Sequence, residues 1–223
     1  MKFRHEWKHE ITYSDMIAIR QRLLAVATPD SHAVDGRYRI RSLYFDDFND
    51  QALRDKIDGI SRREKFRIRY YNDNLDVIHL EKKSKIGGLG NKQSAPLSRE
   101  EAQSIVDGQI DFMKARKEGL IHELYLKMTN YGLHPKTIVD YIREPFIFQA
   151  GNVRVTLDYD IRTGLHCIDF LNPDCPTIPA GDSSIVMEVK WDEFLPSVIR
   201  DTVQLTGRRV SAFSKYAVCR LYG

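Results

Sequence analysis

The sequence predicts an α+β fold in which about eight antiparallel strands close into a barrel and the helices pack against its outside. Three observations lead to this prediction. Segments with the alternation of β-strands recur along the chain, helix-like segments lie between several of them, and the strands carry charge on one face. A sheet with one cationic face can close on itself, so that the cations line its lumen. Because 42% of the 223 residues are hydrophobic, residues 1–223 are expected to form one domain around one core.

The segment Phe66-Arg67-Ile68-Arg69-Tyr70-Tyr71 shows this alternation most clearly. In a strand, Arg67 and Arg69 share one face, and the apolar side chains between them share the other. Two neighbouring arginines on one face repel each other unless an anion lies between them. The segment therefore indicates a surface that binds anions.

Five further segments place charged residues on one face in the same way. They are residues 4–8, 79–85, 141–143, 153–158 and 186–190. A single strand of this kind is most often a solvated face with ion pairs that contribute only ~0.2–1 kcal/mol each. Their recurrence favours a cationic lumen that holds a polyanion. Carboxylates among the cations indicate ligands for Mg²⁺ or Mn²⁺, since both ions prefer oxygen donors.

The N-terminal half is predicted to mix strands and helices. Alternation predicts strands over residues 3–12, 37–46, 64–72 and 76–85. The turn residues 72–74 join the last two strands in a hairpin. Helical spacing predicts helices over residues 14–27 and 49–58. Ser14 is the predicted N-cap of the first helix, and Gly59 ends the second. Residues 86–97, which begin with a glycine-rich stretch, are predicted to form a loop.

The C-terminal half continues the same mixture. A capping box at Ser98 is predicted to open a helix that Gly108 ends. Strands are predicted over residues 137–148, 152–160, 163–169 and 184–191. Helices are predicted over residues 114–131, 192–206 and from residue 211 onwards. Residues 171–183 contain three prolines and are predicted to form a loop.

Composition argues against several classes of protein. No apolar run reaches the ~18 residues of a transmembrane helix, and the N-terminus lacks the apolar segment of a signal peptide. The three cysteines, Cys167, Cys175 and Cys219, show no CxxC spacing, and their odd number indicates a reducing compartment. A net charge of +3 does not suggest a protein that binds nucleic acid. A cytoplasmic protein is therefore expected.

Seven motifs spread over nearly the whole chain resemble one known family. They are SLYFD (42–46), KFRIRYY (65–71), LEKK (80–83), YIR (141–143), VRVTLD (153–158), MEVK (187–190) and FSKY (213–216). The family is the VTC domain, the polyphosphate polymerase domain of the vacuolar transporter chaperone complex and its bacterial relatives. It is grouped with the triphosphate tunnel metalloenzymes, which include the CYTH phosphatases. The resemblance implies an eight-stranded antiparallel tunnel, in agreement with the cationic lumen.

The resemblance also implies roles for individual residues. The residues implied to contact phosphates are Lys8, Arg67, Arg69, Lys83, Lys92, Tyr141, Arg143, Arg154, Lys190, Ser214 and Lys215. The residues implied to act in catalysis are Arg67, Arg69, Lys83, Arg143, Arg154, Glu188 and Lys215. Glu188 is implied to hold a Mn²⁺ or Mg²⁺ ion, and Glu81 and Asp158 face the same way as further candidates.

The implied activity is transfer of the ATP γ-phosphoryl group to a growing polyphosphate chain. Phosphoryl transfer needs in-line positioning and charge stabilisation rather than a protein nucleophile, and a cationic tunnel supplies both. The expected partners are ATP and inorganic polyphosphate, without nucleic acid and without direct membrane insertion. Any translocation of the product would need a separate membrane protein.

The sequence departs from the related CYTH pattern at one position. That pattern begins with Glu-x-Glu-x-Lys, whereas this chain reads Arg4-His5-Glu6-Trp7-Lys8. Loss of the first carboxylate favours a polymerase with a single metal ion over a two-metal hydrolase. Two alternatives stay open. One is a triphosphatase acting on tripolyphosphate or nucleoside triphosphates, and the other is a non-catalytic module that binds polyphosphate or inositol phosphates.

Overall fold

An antiparallel sheet forms the frame of the protein in a computed structural model that describes residues 4–182, 184–205, 207 and 210–221. The strands are β1 (His5–Ile11), β2 (Thr28–Pro29), β3 (Tyr38–Asp46), β4 (Arg63–Tyr71), β5 (Asn74–Ile86), β6 (Leu89–Leu97), β7 (His134–Phe148), β8 (Val153–Thr163), β9 (Ile178–Pro179) and β10 (Ile185–Trp191). The helices are α1 (Tyr13–Val26), α2 (Gln51–Ile57), α3 (Arg99–Val106), α4 (Gly119–Tyr131), α5 (Ser197–Thr202) and α6 (Lys215–Leu221). Short 3₁₀ segments cover Asp111–Ala115 and Ala150–Asn152.

The main strands lie in the order β1-β10-β8-β7-β3-β4-β5-β6, with β2 paired to β7 and β9 paired to β8. The α+β class and the antiparallel pairing are therefore as predicted. The end strands meet at one bridge between Arg4 and Gly90, where the Arg4 amide donates to the Gly90 carbonyl over 3.2 Å. Because the described parts of β1 and β6 share one bridge rather than a ladder, the sheet is a curled half-barrel. The prediction of a fully closed barrel is wrong in this respect.

The convex face of the half-barrel is apolar and covered by helices. Ile68 of β4 and Leu124 of α4 belong to one buried cluster, which α3 also joins. Ile19 of α1 and Val189 of β10 belong to a second cluster, which α5 joins. All four side chains are fully buried, and each such burial contributes ~1.5–3 kcal/mol. The alternation read from the sequence therefore separates the two faces as predicted.

Part of the concave face is apolar too, and α6 covers it. Ile40, Val139 and Ile161 come from three different strands and share a buried cluster with Tyr216 and Ala217 of α6. Val139 lies opposite Ser42 in the β3–β7 ladder, which places it on the concave face. The expectation that the helices pack only outside is thus wrong for α6, because these apolar side chains need a cover on the inner side.

Several predicted boundaries change in the structure. Residues 86–97, predicted as a loop, form the turn and strand β6. Of the strand predicted over residues 163–169, only Thr163 lies in a strand, as the last residue of β8. The helix predicted over residues 192–206 is the shorter α5, Ser197–Thr202. The first helix is capped by Thr12 rather than Ser14, since the Thr12 hydroxyl accepts from the Asp15 amide. Residues 3, 183, 206 and 222–223 of the predicted elements lie outside the described residues.

Local signals agree well with the structure. The Ser98 hydroxyl accepts a hydrogen bond from the Glu101 amide, and the Glu101 carboxylate accepts from the Ser98 amide, as in the predicted capping box. The β4–β5 hairpin turns at Asn72 and Asp73, both of which adopt positive φ angles. Among the described helices, none has both the length and the apolar character needed to span a bilayer.

Candidate active site

A cavity of about 390 Å³ opens on the concave face of the sheet. Side chains from β1, β3, β4, β5, β7 and β10 line it, together with α2 and the segment that leads into α6. The strands supply mostly Lys, Arg and Glu side chains because every second residue points inward. Most of the residues that line the cavity are therefore charged, as the sequence predicts for the lumen.

Glu188 of β10 lies at the centre of a group of cations. Its Oε1 is 3.0 Å from Lys8 Nζ and 3.2 Å from Lys215 Nζ. Its Oε2 is 2.8 Å from Lys190 Nζ and 3.7 Å from the Arg143 guanidinium. Burial alone would raise the pKa of Glu188, but these cations hold the pKa well below its usual range. Glu188 is therefore ionised at neutral pH.

Glu6 is a second carboxylate beside this centre, and the sequence analysis did not assign it to the site. Its Oε1 lies 3.2 Å from Lys83 Nζ and 3.3 Å from Lys190 Nζ. Burial opposes ionisation, yet Lys83 and Lys8 lower the pKa of Glu6 far below its usual value. Lys8 and Lys190 bridge Glu6 to Glu188. The motif position of Glu6, two residues before Lys8, was the signal that could have identified it.

Asp158 of β8 pairs with two of the cations that surround Glu188, namely Arg143 and Lys215. Its carboxylate accepts two hydrogen bonds from Arg143, each of 2.7 Å, and lies 2.5 Å from Lys215 Nζ. Asp158 is completely buried. The two-point contact fixes the Arg143 guanidinium in one orientation, because both partners are planar. Asp158 thus orients cations and does not line the cavity itself.

Arg67 is held by the neighbouring strands. Its Nε and Nη2 donate to Glu81 Oε2 over 2.8 and 2.6 Å, and its Nη1 donates to the Tyr44 hydroxyl over 2.7 Å. Glu81 also pairs with Lys92 over 2.9 Å. Both Glu81 oxygens are therefore engaged by cations, and Glu81 orients Arg67 in the way that Asp158 orients Arg143.

Arg69 is fully buried at the inner end of the cavity. Its Nε donates to the Ser42 hydroxyl over 2.8 Å, and its Nη2 donates to the Tyr141 hydroxyl over 2.9 Å. Arg69 Nη1 also lies 3.9 Å from Glu81 Oε2, so Arg69 shares this carboxylate with Arg67 and Lys92. Its positive charge is only partly balanced, because three cations share one carboxylate. Tyr141 lines the cavity, and its role as a hydroxyl donor to phosphate stays a prediction.

Lys65 also lines the cavity, and the sequence analysis did not single it out. Its Nζ donates to the Ser214 hydroxyl over 2.9 Å and lies 5.0 Å from the centre of the Tyr216 ring. Burial, followed by repulsion from Lys8 and Lys83, lowers the pKa of Lys65 to about 7. The alternation through Lys65, Arg67 and Arg69 was the signal that placed it on this face.

The structure brings together most of the residues implied by the resemblance. Those that line the cavity are Lys8, Arg67, Arg69, Lys83, Tyr141, Arg143, Glu188, Lys190, Ser214 and Lys215. Arg154 and Lys92 do not belong to this lining. Arg154 pairs with Asp30 over 2.7 Å, and its side chain is 45% exposed. Lys92 pairs with Glu81, and its side chain is 56% exposed.

The carboxylates suit a divalent cation that arrives with phosphate. Mg²⁺ is commonly held by one or two carboxylates together with phosphate oxygens. Glu188 and Glu6 both line the cavity and could supply such oxygens. Within the described ranges, no group of three or more His, Cys, Asp or Glu side chains is arranged to hold a metal ion. The donor set therefore fits a metal that is shared with a bound phosphate.

The fold is shared with other solved structures, including the following two. A proposed adenylyl cyclase from Hippeastrum, described as having a dominant triphosphatase activity, superimposes with a TM-score of 0.61 at 13% identity, over 98% of this chain and 95% of that one. A proposed adenylate cyclase from Bacillus halodurans superimposes with a TM-score of 0.54 at 13% identity, over 85% of this chain and 80% of that one. At this level of identity, the likeness shows a common fold.

The sequence itself is more specific than the fold. No curated protein matches the chain. The family model of the VTC domain matches residues 3–222. This match spans nearly the whole chain and agrees with the basic cavity, so the chain belongs to the VTC domain family.

Proposed function

We propose that this protein is a metal-dependent polyphosphate polymerase that transfers the ATP γ-phosphoryl group to the end of a growing polyphosphate chain. The observation that carries the proposal is the group of four cations around the buried carboxylate of Glu188. Such a group suits a polyanionic substrate, because cations stabilise the charge that is spread over the phosphate oxygens during transfer. Membership of the VTC domain family supports the same conclusion.

Charge positioning is the main task of the proposed site. Arg143 and Arg67 are each fixed by a carboxylate behind them, so they present their free N–H groups to phosphate without reorganisation. Lys8 and Lys190 pair with carboxylates of the site. These flexible lysines move to phosphate oxygens when substrate binds, because the polyanion carries the higher charge density.

The metal requirement follows from the donor set. When bound at Glu188, with Glu6 beside it, a Mg²⁺ or Mn²⁺ ion supplies charge neutralisation at the phosphate oxygens. Arg4, which replaces a carboxylate of the CYTH pattern, pairs with Asp192 over 2.9 Å and does not line the cavity. The site thus has one carboxylate fewer for a second metal ion, which supports the polymerase over the hydrolase.

A triphosphatase is the second candidate function. The observation that favours it is the fold shared with the Hippeastrum protein, which is described as having a dominant triphosphatase activity. Both activities use the same phosphate contacts and differ in whether a phosphate chain or water accepts the phosphoryl group.

The test is incubation with ATP and Mn²⁺, followed by gel analysis of polyphosphate and a parallel assay of free phosphate. Long chains with ADP, lost in Glu188→Gln and kept in the exposed control Glu193→Gln, support the polymerase. Free phosphate without chains overturns it in favour of the triphosphatase. Neither product, with polyphosphate binding retained, indicates a binding module.

A further inference from the structure

Two consecutive inward-facing residue pairs of the β4–β5 ladder place like charges opposite each other. Arg63 lies opposite Lys85, and Lys65 lies opposite Lys83. All four side chains line the cavity. Like charges that face each other across a ladder are destabilising. On the next inner rung, Arg67 lies opposite Glu81 and the charge is balanced. Positive charge therefore accumulates toward the end of the β4–β5 hairpin that is farthest from its turn.

Lys56 of α2 adds a further cation to this end of the cavity. Besides burial, the groups that lower its pKa are Arg63, Lys8 and Lys85, all of them cations. We name Lys56, Arg63, Lys65 and Lys85 the rim cluster. Across the described part of the chain, none of these four forms an ion pair with a carboxylate, and all four are partly buried.

The rim cluster differs from the centre around Glu188 in this respect. At the centre, Lys8, Lys190 and Lys215 each pair with a carboxylate, so the cations stay in place without a ligand. At the rim, Lys65 donates to the Ser214 hydroxyl and Arg63 donates to the Ile60 carbonyl, and both acceptors are neutral. Among the described residues, no carboxylate balances the repulsion between the rim cations. An arrangement of this kind is stabilised when an anion occupies it.

The spacing selects the class of anion. A strand rises ~3.3 Å per residue, so Arg63 and Arg67 lie about 13 Å apart along β4. A single orthophosphate cannot contact both ends of this row. An extended chain of phosphates can follow the inward-facing side chains of β4 from the centre to the rim.

We propose that the rim cluster is a second anion subsite, which holds the distal phosphates of a linear polyphosphate chain whose end lies at the Glu188 centre. This inference rests on the proposed function in one respect, since it places a phosphate chain at that centre. It assigns the centre to the reacting phosphates and the rim to the remainder of the chain. The site therefore distinguishes a long acceptor chain from a triphosphate.

The test compares the binding of tripolyphosphate and of a size-selected long polyphosphate by calorimetry, which requires no turnover. The variant is Lys56→Ala with Lys85→Ala. The control, Lys114→Ala with Lys117→Ala, removes the same charge from exposed positions outside the cavity. The rim variant is expected to bind the long chain roughly tenfold more weakly, while tripolyphosphate binding changes less than about twofold. Thermal melts of both variants verify that they fold.

Four outcomes overturn the inference. Equal weakening for both ligands means that rim and centre are one site. Unchanged binding of the long chain means that the rim does not hold it. The same loss in the control means that overall charge is responsible. If wild type binds neither ligand, both the inference and the proposed function fail. If binding depends on chain length as expected but the gel assay detects no polymerisation, the proposed function alone fails.

Discussion

Binding of a phosphate chain is expected to take up a proton at Lys65, and replacing this residue by methionine should remove that share of the uptake. Lys83, whose pKa burial also lowers to about 7, should keep its own share. The Lys65 ammonium lies among Lys8 and Lys83, and its one hydrogen-bond partner in the described structure is the neutral Ser214 hydroxyl. Burial and these like charges lower its pKa to about 7. A polyanion beside it favours the charged form, so its pKa rises in the complex.

The size of the effect follows from the fraction of Lys65 that is protonated before binding. At pH 8 an amine with a pKa of about 7 is about one-tenth protonated, so binding adds about 0.9 proton at Lys65. At pH 6 the same amine is already about nine-tenths protonated, and the uptake falls to about 0.1 proton. Because protons are taken up on binding, the contribution of Lys65 lowers the logarithm of the association constant by about 0.9 per pH unit near pH 8.

The assay is calorimetric titration with polyphosphate in two buffers of different ionisation enthalpy. The slope of the observed enthalpy against the buffer enthalpy gives the number of protons taken up. Lys65→Met should reduce that number at pH 8 by nearly one, whereas the exposed control Lys114→Met should leave it unchanged. Equal slopes for wild type and Lys65→Met at pH 8 would refute the reasoning, as would undiminished uptake at pH 6.

Three further predictions concern stability and are checked by urea denaturation. Arg41→Met leaves the buried Asp140 carboxylate without its bidentate partner and should lower the free energy of unfolding by ~3–5 kcal/mol. A loss below about 1 kcal/mol would contradict this reading of the pair. Ile68→Ala empties a fully buried position on the convex face and should cost ~2–5 kcal/mol, whereas a well-folded variant with wild-type stability would contradict the assigned core. Ser98→Ala removes one bond of the capping box and should cost ~0.5–2 kcal/mol, and Ser98→Asp, which keeps an acceptor, should retain most of the stability.

Much of the site could be predicted because a β-strand has a strict period of two. The alternation of Arg67 and Arg69 with Ile68 and Tyr70 determines which side chains share a face, whatever the rest of the chain does. The capping box at Ser98 is similarly local, since both partners lie within one helical turn. Such signals depend on near neighbours only, and the structure agrees with them.

The missed elements have a common cause. Strand β6 has the sequence LGNKQSAPL, which contains no β-branched or aromatic residue. It forms because all of its residues pair with β5 in an antiparallel ladder. The inward position of α6 depends on apolar side chains from three separate strands. No local pattern contains that information, because it arises only when distant segments meet.

The sequence by itself determined the antiparallel α+β class, the separation of a cationic from an apolar face, and the residue types that surround the cavity. Only the tertiary structure decided which charges meet. In the structure, Glu6 pairs with Lys83, which is 77 positions away in the sequence. Arg154 pairs with Asp30 and does not line the cavity. The tertiary structure also left the sheet a half-barrel rather than a closed one. The physical reason is that side-chain alternation specifies faces, whereas ion pairs and sheet closure depend on strand order and register, which are set by long-range packing.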